Sequence, residues 1–141
     1  PIATAYLAYP QETRLSCPML GLAGPVGQWV FDRGQAGGND GILAFVLSAE
    51  GGWDELGDAE LCQRLHDELV AAVGPLPAPH WQRVIRERRA TFSCRPHLPR
   101  PGQQTAERGL WLAGDYTWGE YPATLEGAVR SGVAAARGIL G

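Results

Sequence analysis

The chain has 141 residues, 45% of them hydrophobic and 19% charged, enough apolar material for a packed core and too few charges for a disordered chain. A net charge of −3, with no basic stripe interleaved with aromatics, argues against a nucleic-acid partner. The longest clean apolar run, Gly41 to Ala49, is about half of what spans a bilayer, and no secretory leader opens the chain, so the expectation is a cytoplasmic protein or one peripheral to the inner membrane.

Ala3 to Tyr9 mixes Thr, Tyr and Leu in alternation and stops at Pro10, which predicts a strand. Leu15 to Gly27 is rich in breakers and reads as loop, with a short strand around Met19 to Leu22. Gln28 to Asp32 predicts another strand, and Gln35 to Gly41 a hairpin-type turn leading into Ile42 to Ser48. That last run is apolar at successive positions, which predicts a central strand buried on both faces. Asp58 is placed to cap a helix carrying Leu61, Leu65, Leu69 and Val73 at four-residue spacing, stopped by Gly74-Pro75. After a Pro-rich linker, Trp81 to Cys94 alternates like a long strand with neither face cleanly apolar, which predicts an edge or a surface awaiting a partner. Arg95 to Thr105, with Pro96, Pro99 and Pro101, is a crossover loop.

The end of the chain carries the chemistry. Gly109 to Ala113 predicts a short strand, Gly114-Asp115 a turn, and Pro122 to Leu140 a helix, with Pro122 near its first turn. Leu125, Val129, Val133, Ala136 and Leu140 form one apolar face, and Gly127, Ser131, Ala135 and Gly138 a second stripe of very small side chains. A helix that accepts glycines, each costing about 1 kcal/mol against Ala, needs close approach by another backbone or a flat ligand. Free N–H groups at Ala123, Thr124 and Leu125 would favour an anion or an electron-rich carbonyl, and Asp115 could accept hydrogen bonds from sugar-type hydroxyls. The fold class that follows is α+β: a mixed, mainly antiparallel sheet with one amphipathic helix, then a C-terminal strand and helix.

Other constellations carry less. Cys17, Cys62 and Cys94 lack a Cys-x-x-Cys pair, and His66, His80 and His97 share no ligand spacing, so neither a metal site nor a disulfide framework is indicated. Cys62 reads as a small core residue and His66 as a solvent-side one. No nucleophile elbow or His-Glu-x-x-His supports a hydrolase. The arginines between Arg83 and Arg89 could contact phosphate or diphosphate, although a solvated strand face pairing with Glu87 is the commoner meaning of such a run.

The run Leu112-Ala113-Gly114-Asp115-Tyr116-Thr117, followed by Tyr121-Pro122-Ala123-Thr124-Leu125-Glu126-Gly127-Ala128-Val129-Arg130-Ser131-Gly132, resembles the carboxy-terminal flavin-binding motif of the flavin amine oxidase and phytoene desaturase superfamily. With Arg89 to Pro96 and Arg100-Pro101, the resemblance is greatest to the squalene-associated FAD-dependent desaturases, the hydroxysqualene dehydroxylase family, over nearly the whole chain. It implies FAD as cofactor and a long isoprenoid as substrate. Asp115 would contact the ribityl and pyrophosphate region, Gly114 would let the backbone approach, and Ala123, Thr124 and Leu125 would present the helix N-terminus, with the Leu125 N–H toward the flavin pyrimidine carbonyl. Thr124 would face substrate where amine oxidases often carry an aromatic residue, which counts against an amine. No catalytic residue can be nominated.

The same resemblance places residues 1–105 in a substrate-binding domain and 106–141 in an FAD-binding domain whose N-terminal dinucleotide fingerprint is not found here. The Gly-rich Gly21 to Gly27 is interrupted by Pro25 and followed by no βαβ unit. The expectation is the carboxy-terminal part of a longer flavoprotein reducing hydroxysqualene to squalene, with the missing FAD-binding half as partner and the isolated chain inactive. A carotenoid-type desaturase or an amine oxidase is the alternative within the superfamily, and a non-catalytic oligomerisation or lipid-binding module the alternative outside it. Exposed apolar surface on the last strand and helix predicts homodimerisation, and peripheral membrane contact is a further expectation.

Overall fold

A computed structural model describes all 141 residues, which divide into two compact units, Pro1–Arg88 and Arg89–Gly141. The first is built on a five-stranded sheet of β1 (Ile2–Ala8), β2 (Met19–Gly21), β3 (Trp29–Asp32), β4 (Ile42–Ser48) and β5 (Trp81–Glu87), in the order β2-β3-β4-β1-β5. Every pairing is antiparallel, so the mixed sheet expected from the sequence is corrected to a purely antiparallel one. Short connections explain this: β2, β3 and β4 follow one another through turns that reverse the chain, as antiparallel neighbours require.

Register determines what each face carries. Val84, Ala5, Phe45 and Val30 stand in one cross-strand row, with Leu7 beside Leu43 and Ala3 beside Leu47 in the flanking rows. Since side chains alternate along a strand, these residues share a face, and helix α1 (Asp58–Val73) packs Leu61, Cys62, Leu65 and Leu69 into the core they form. The opposite face carries Tyr6, Phe31, Ile42, Val46, Trp29, Trp81 and Ile85. Trp29, Trp81 and Ile85 are each about half exposed there.

β4 is central as expected, but it is less completely buried on the side away from the helix: Leu43, Phe45 and Leu47 are inaccessible, while on the opposite face Ala44 is buried and Ile42 and Val46 are half-buried. β5 is the expected edge strand, shorter than the run to Cys94 because its ladder with β1 ends at Ile2↔Glu87. Asp58 is not the cap of α1. Gly57 takes that position without a side-chain hydrogen bond, and Asp58 instead meets Arg86 of β5 at 3.0 Å. The stop at Gly74 is as expected, with φ at +96°.

His66 is not simply on the solvent side of α1: its Nδ1 lies 3.0 Å from the hydroxyl of the buried Tyr9. Burial, followed by the nearby Cys62, pushes the Tyr9 hydroxyl well above the ordinary tyrosine value. Cys62 is buried in the core.

In the second unit, helix α2 (Leu125–Leu140) is the only regular element. The strand expected at Gly109 to Ala113 is absent, reduced to a single bridge between Gln104 and Trp111. A strand exists only through the ladder that satisfies its N–H and C=O groups, and here the pairing is limited to Gln103–Thr105, with the Leu112 N–H donating to the Gln103 carbonyl at 2.7 Å and the Thr105 N–H to the Leu110 carbonyl at 3.4 Å. No helix is long and apolar enough to cross a membrane.

Candidate functional site

The site expected from the sequence lies within the second unit. Helix α2 starts at Leu125, three residues later than expected. Thr124 is its N-cap, in extended conformation, with its hydroxyl accepting from the Gly127 N–H at 3.0 Å and donating to the Tyr121 carbonyl at 2.6 Å. Pro122 therefore lies outside the helix. Tyr121 and Ala123, at φ +56° and +59°, hold left-handed conformations that non-glycine residues adopt at a cost, a form of strain often found beside binding sites.

The three N–H groups expected to be free are not equivalent. That of Ala123 donates to the main-chain oxygen of Asp115 at 3.2 Å. Those of Thr124 and Leu125 carry no acceptor, and neither does that of Glu126 in the first turn. Aligned peptide dipoles place partial positive charge at this end, so the N–H groups of Thr124, Leu125 and Glu126 remain open to an electron-rich oxygen. The side chain of Thr124 is committed to the cap.

Asp115 and Gly114 are brought to this helix by a ring of hydrogen bonds absent from the sequence reading. The Gly114 N–H donates to Ser131 Oγ at 3.1 Å, Thr117 Oγ1 and Ser131 Oγ lie 2.7 Å apart, and the Thr117 hydroxyl donates to the Gly114 carbonyl at 2.9 Å. Thr117 and Ser131 are both buried. One sequence signal could have exposed the ring: a single hydroxyl, Ser131, in an otherwise featureless Gly/Ala stripe. Gly114 sits at φ +158°, and a Cβ there would lie 2.4 Å from the ring of Tyr116, so glycine is required for turn geometry and packing alike.

The Asp115 carboxylate accepts a hydrogen bond from the Thr91 hydroxyl. It also borders a cavity of about 260 Å³ whose other walls include Thr117, Trp118, Gly127, Arg130 and Ser131. Arg130 is held by Glu126 at 2.6 Å and lies over the Tyr121 ring at 4.7 Å. Arg100, singled out in the sequence beside Pro101, donates to the carbonyls of Thr117 at 2.8 Å and Gly119 at 3.0 Å, fixing the loop between the turn and the helix.

The small stripe of α2 meets its own unit. A Cβ on Gly127 would lie 2.2 Å from the Tyr121 carbonyl oxygen, and one on Gly138 2.2 Å from the Trp111 indole. The close approach expected of these glycines is thus made by a backbone and by a flat side chain. Burial follows the same stripe, at Gly127, Ser131 and Ala135, while Leu125, Val129, Val133 and Leu140 of the apolar face are exposed.

This constellation combines the open N–H groups at the N-terminus of α2, a carboxylate partly accessible in a cavity, and glycines that admit close approach. It suits a group bearing ring carbonyls and hydroxyls. The family model for flavin containing amine oxidoreductase matches residues 1–140. Hydroxysqualene dehydroxylase of Rhodopseudomonas palustris is 44% identical over 93 residues, covering 62% of this chain and 22% of the relative. Hydroxysqualene dehydroxylase of Sinorhizobium fredii is 35% identical over 122 residues, covering 84% of this chain and 28% of the relative. The chloroplastic/chromoplastic 15-cis-phytoene desaturase of Narcissus pseudonarcissus is 31% identical over 111 residues, covering 72% and 20%. The chain thus spans between a fifth and three tenths of the length of these relatives. With the match running over all but the last residue, this chain belongs to the flavin-containing amine oxidoreductase family.

Proposed function

We propose that the chain contributes to an FAD-dependent oxidoreductase acting on a long isoprenoid, and specifically to the reduction of hydroxysqualene to squalene. The observation that carries this reading is the pairing of the open N–H groups of Thr124 and Leu125 with the Gly114-Asp115 turn, locked to α2 through Ser131. The names of the relatives support the substrate.

The donor set fits a flavin. The Leu125 N–H, at the positive end of α2, would stabilise negative charge on a pyrimidine carbonyl. Asp115 would accept from ribityl hydroxyls, and Gly114 keeps the turn free of a side chain. When bound, the flavin supplies hydride chemistry, with water leaving an allylic carbon in the proposed reaction. The chain's own part is to orient the cofactor through the Thr124 cap and the Ser131 ring. The uncovered sheet face with Trp29, Phe31, Val46 and Ile85 is proposed to line the path of the hydrocarbon, since it offers apolar contact without polar discrimination. Further cofactor contacts are proposed to come from sequence outside these 141 residues, as is the cover for the exposed apolar face of α2.

The test begins with the visible absorption spectrum of the full-length protein beside that of this chain. Flavin bands in the former and none in the latter support a site shared with further sequence, and anaerobic turnover of hydroxysqualene by the reduced protein then supports the specific reaction. Desaturation of a carotenoid precursor without any squalene formed would replace that reaction with the desaturase alternative.

A further inference from the structure

At one end of the open sheet face, where β5, β1 and β4 run side by side, lies a pocket of about 370 Å³. Its apolar walls are Tyr6, Ile42, Trp81 and Ile85, and the side chains of Arg33 and Arg83 line it too. Cross-strand pairing explains the grouping: Arg83 stands opposite Tyr6, while Trp81 and Ile42 both stand opposite Ala8. The arginine at 83 was one of the cations that the flavin reading leaves without a task.

These two arginines differ from others in the same unit. Arg14 is paired with Asp40 at 2.7 Å, Arg64 with Glu60 at 2.7 Å, and Arg86 with Asp58 at 3.0 Å. Neither Arg33 nor Arg83 has a carboxylate or carbonyl partner for its side chain. Two acids adjoin the pocket residues in sequence: Asp40 is taken by Arg14, and the buried Asp32 carboxylate accepts from the Leu15 N–H and the Gln35 side chain. Arg33 lies along the turn at Gly38, where a Cβ would come within 2.9 Å of the Arg33 carbonyl oxygen and 3.3 Å of its Nε.

We propose that this pocket is a binding site for a single-chain amphiphile with an anionic phosphate head. The head is held between the guanidinium groups of Arg33 and Arg83, and the chain lies on Tyr6, Ile42, Trp81 and Ile85. A planar guanidinium donates two parallel hydrogen bonds to phosphate oxygens, and a pair of them without counter-charges is complementary to a doubly charged head. The floor is continuous with Val46, Phe31 and Trp29 along the same face, which gives the chain an apolar track beyond the pocket. A space of about 370 Å³ has room for a single chain. The site is read from the pocket and its two arginines and uses none of the flavin contacts, although it shares Ile85 and the adjoining apolar face with the proposed hydrocarbon path.

The test is calorimetric titration of the full-length protein with octyl phosphate, 1-octanol and inorganic phosphate, all as monomers in solution. Octyl phosphate is expected to bind at least about tenfold more tightly than either half-ligand, because head and chain are recognised together. Arg33→Gln and Arg83→Gln are each expected to weaken octyl phosphate by about tenfold while leaving octanol unchanged. Arg88→Gln, at an exposed arginine outside the pocket, should have no effect. The two substituted side chains are exposed, and circular dichroism verifies that the fold survives. Equal binding of octyl phosphate and octanol would overturn the proposal. So would arginine variants that bind like the parent, or association with vesicles of anionic lipid and none with the monomer.

Discussion

The α-carbon of Gly127 faces the main-chain carbonyl of Tyr121 so closely that a methyl group on it would sit 2.2 Å from that oxygen. Five residues along the same helix, Gly132 has nothing within 4 Å of the corresponding position. The two glycines should therefore respond to alanine with opposite signs. Gly132→Ala recovers helix propensity and should stabilise by up to about 1 kcal/mol. Gly127→Ala gains the same propensity, but the clash is with backbone that cannot rotate away, and it should destabilise by about 1–3 kcal/mol. Urea unfolding of both variants checks the pair, and two shifts of the same sign would contradict the packing described.

The ring joining Gly114, Thr117 and Ser131 predicts a loss larger than the size of a serine side chain suggests. Ser131→Ala leaves a buried Thr117 hydroxyl and the Gly114 N–H each short of a partner, at a cost of about 1–3 kcal/mol. Ser131→Thr keeps the hydroxyl and should recover part of that loss. Hydrogen exchange at the Gly114 amide gives a local readout, with faster exchange expected in the alanine variant alone.

Asp32 should govern part of the acid limb of stability. Its buried carboxylate accepts from the Leu15 N–H at 3.0 Å and from the Gln35 side chain at 2.8 Å. Burial works to raise its pKa. The hydrogen bonds from the Gln35 side chain and from the Leu15 and Gln35 N–H groups, helped by Arg14, outweigh burial and hold it below the usual aspartate value. In acid the unfolded chain then binds a proton that the folded chain resists, so the stabilisation is present above about pH 4 and is lost as pH falls through the folded value. Asp32→Asn should lower stability at pH 7 by about 1–3 kcal/mol and flatten the dependence below about pH 4. A variant whose acid limb keeps the parent's slope would exclude Asp32 as its source.

Under the proposed flavin assignment, Leu125→Pro isolates a single N–H. Proline is well accepted at the first helical position, and Thr124 before it already holds the extended conformation that a following proline favours. The helix should persist while the donor to the cofactor carbonyl disappears. In full-length protein the flavin reduction potential should fall, and turnover should slow by about 10- to 100-fold. An unaltered potential with helix content retained would remove Leu125 from the site.

Much of the first unit was legible because its signals are local. The alternation in β1 and the clean apolar run of β4 mark strands by period, and Leu61, Leu65 and Leu69 mark α1 by theirs. Glycine and proline ended these elements where expected. Asp58 was read as a cap because capping is a local rule, and the claim of Arg86, brought beside it by the pairing of β5 with β1, overrode that rule. Gly109 to Ala113 has a strand's composition yet forms only one bridge, since a strand needs a neighbour that no residue within the run can specify.

The sequence by itself determined where the helices and most strands lie, and it marked Gly114-Asp115 as a turn ahead of the helix that carries Leu125. Only the tertiary structure decided which stripe of α2 is buried. Hydrophobicity favoured Leu125, Val129 and Val133, but the Tyr121 carbonyl and the Trp111 ring lie too close for anything larger than glycine, so the small stripe turned inward. It also decided that Arg33 and Arg83, fifty residues apart, border one pocket, because strand register in a sheet joins residues that the chain keeps distant.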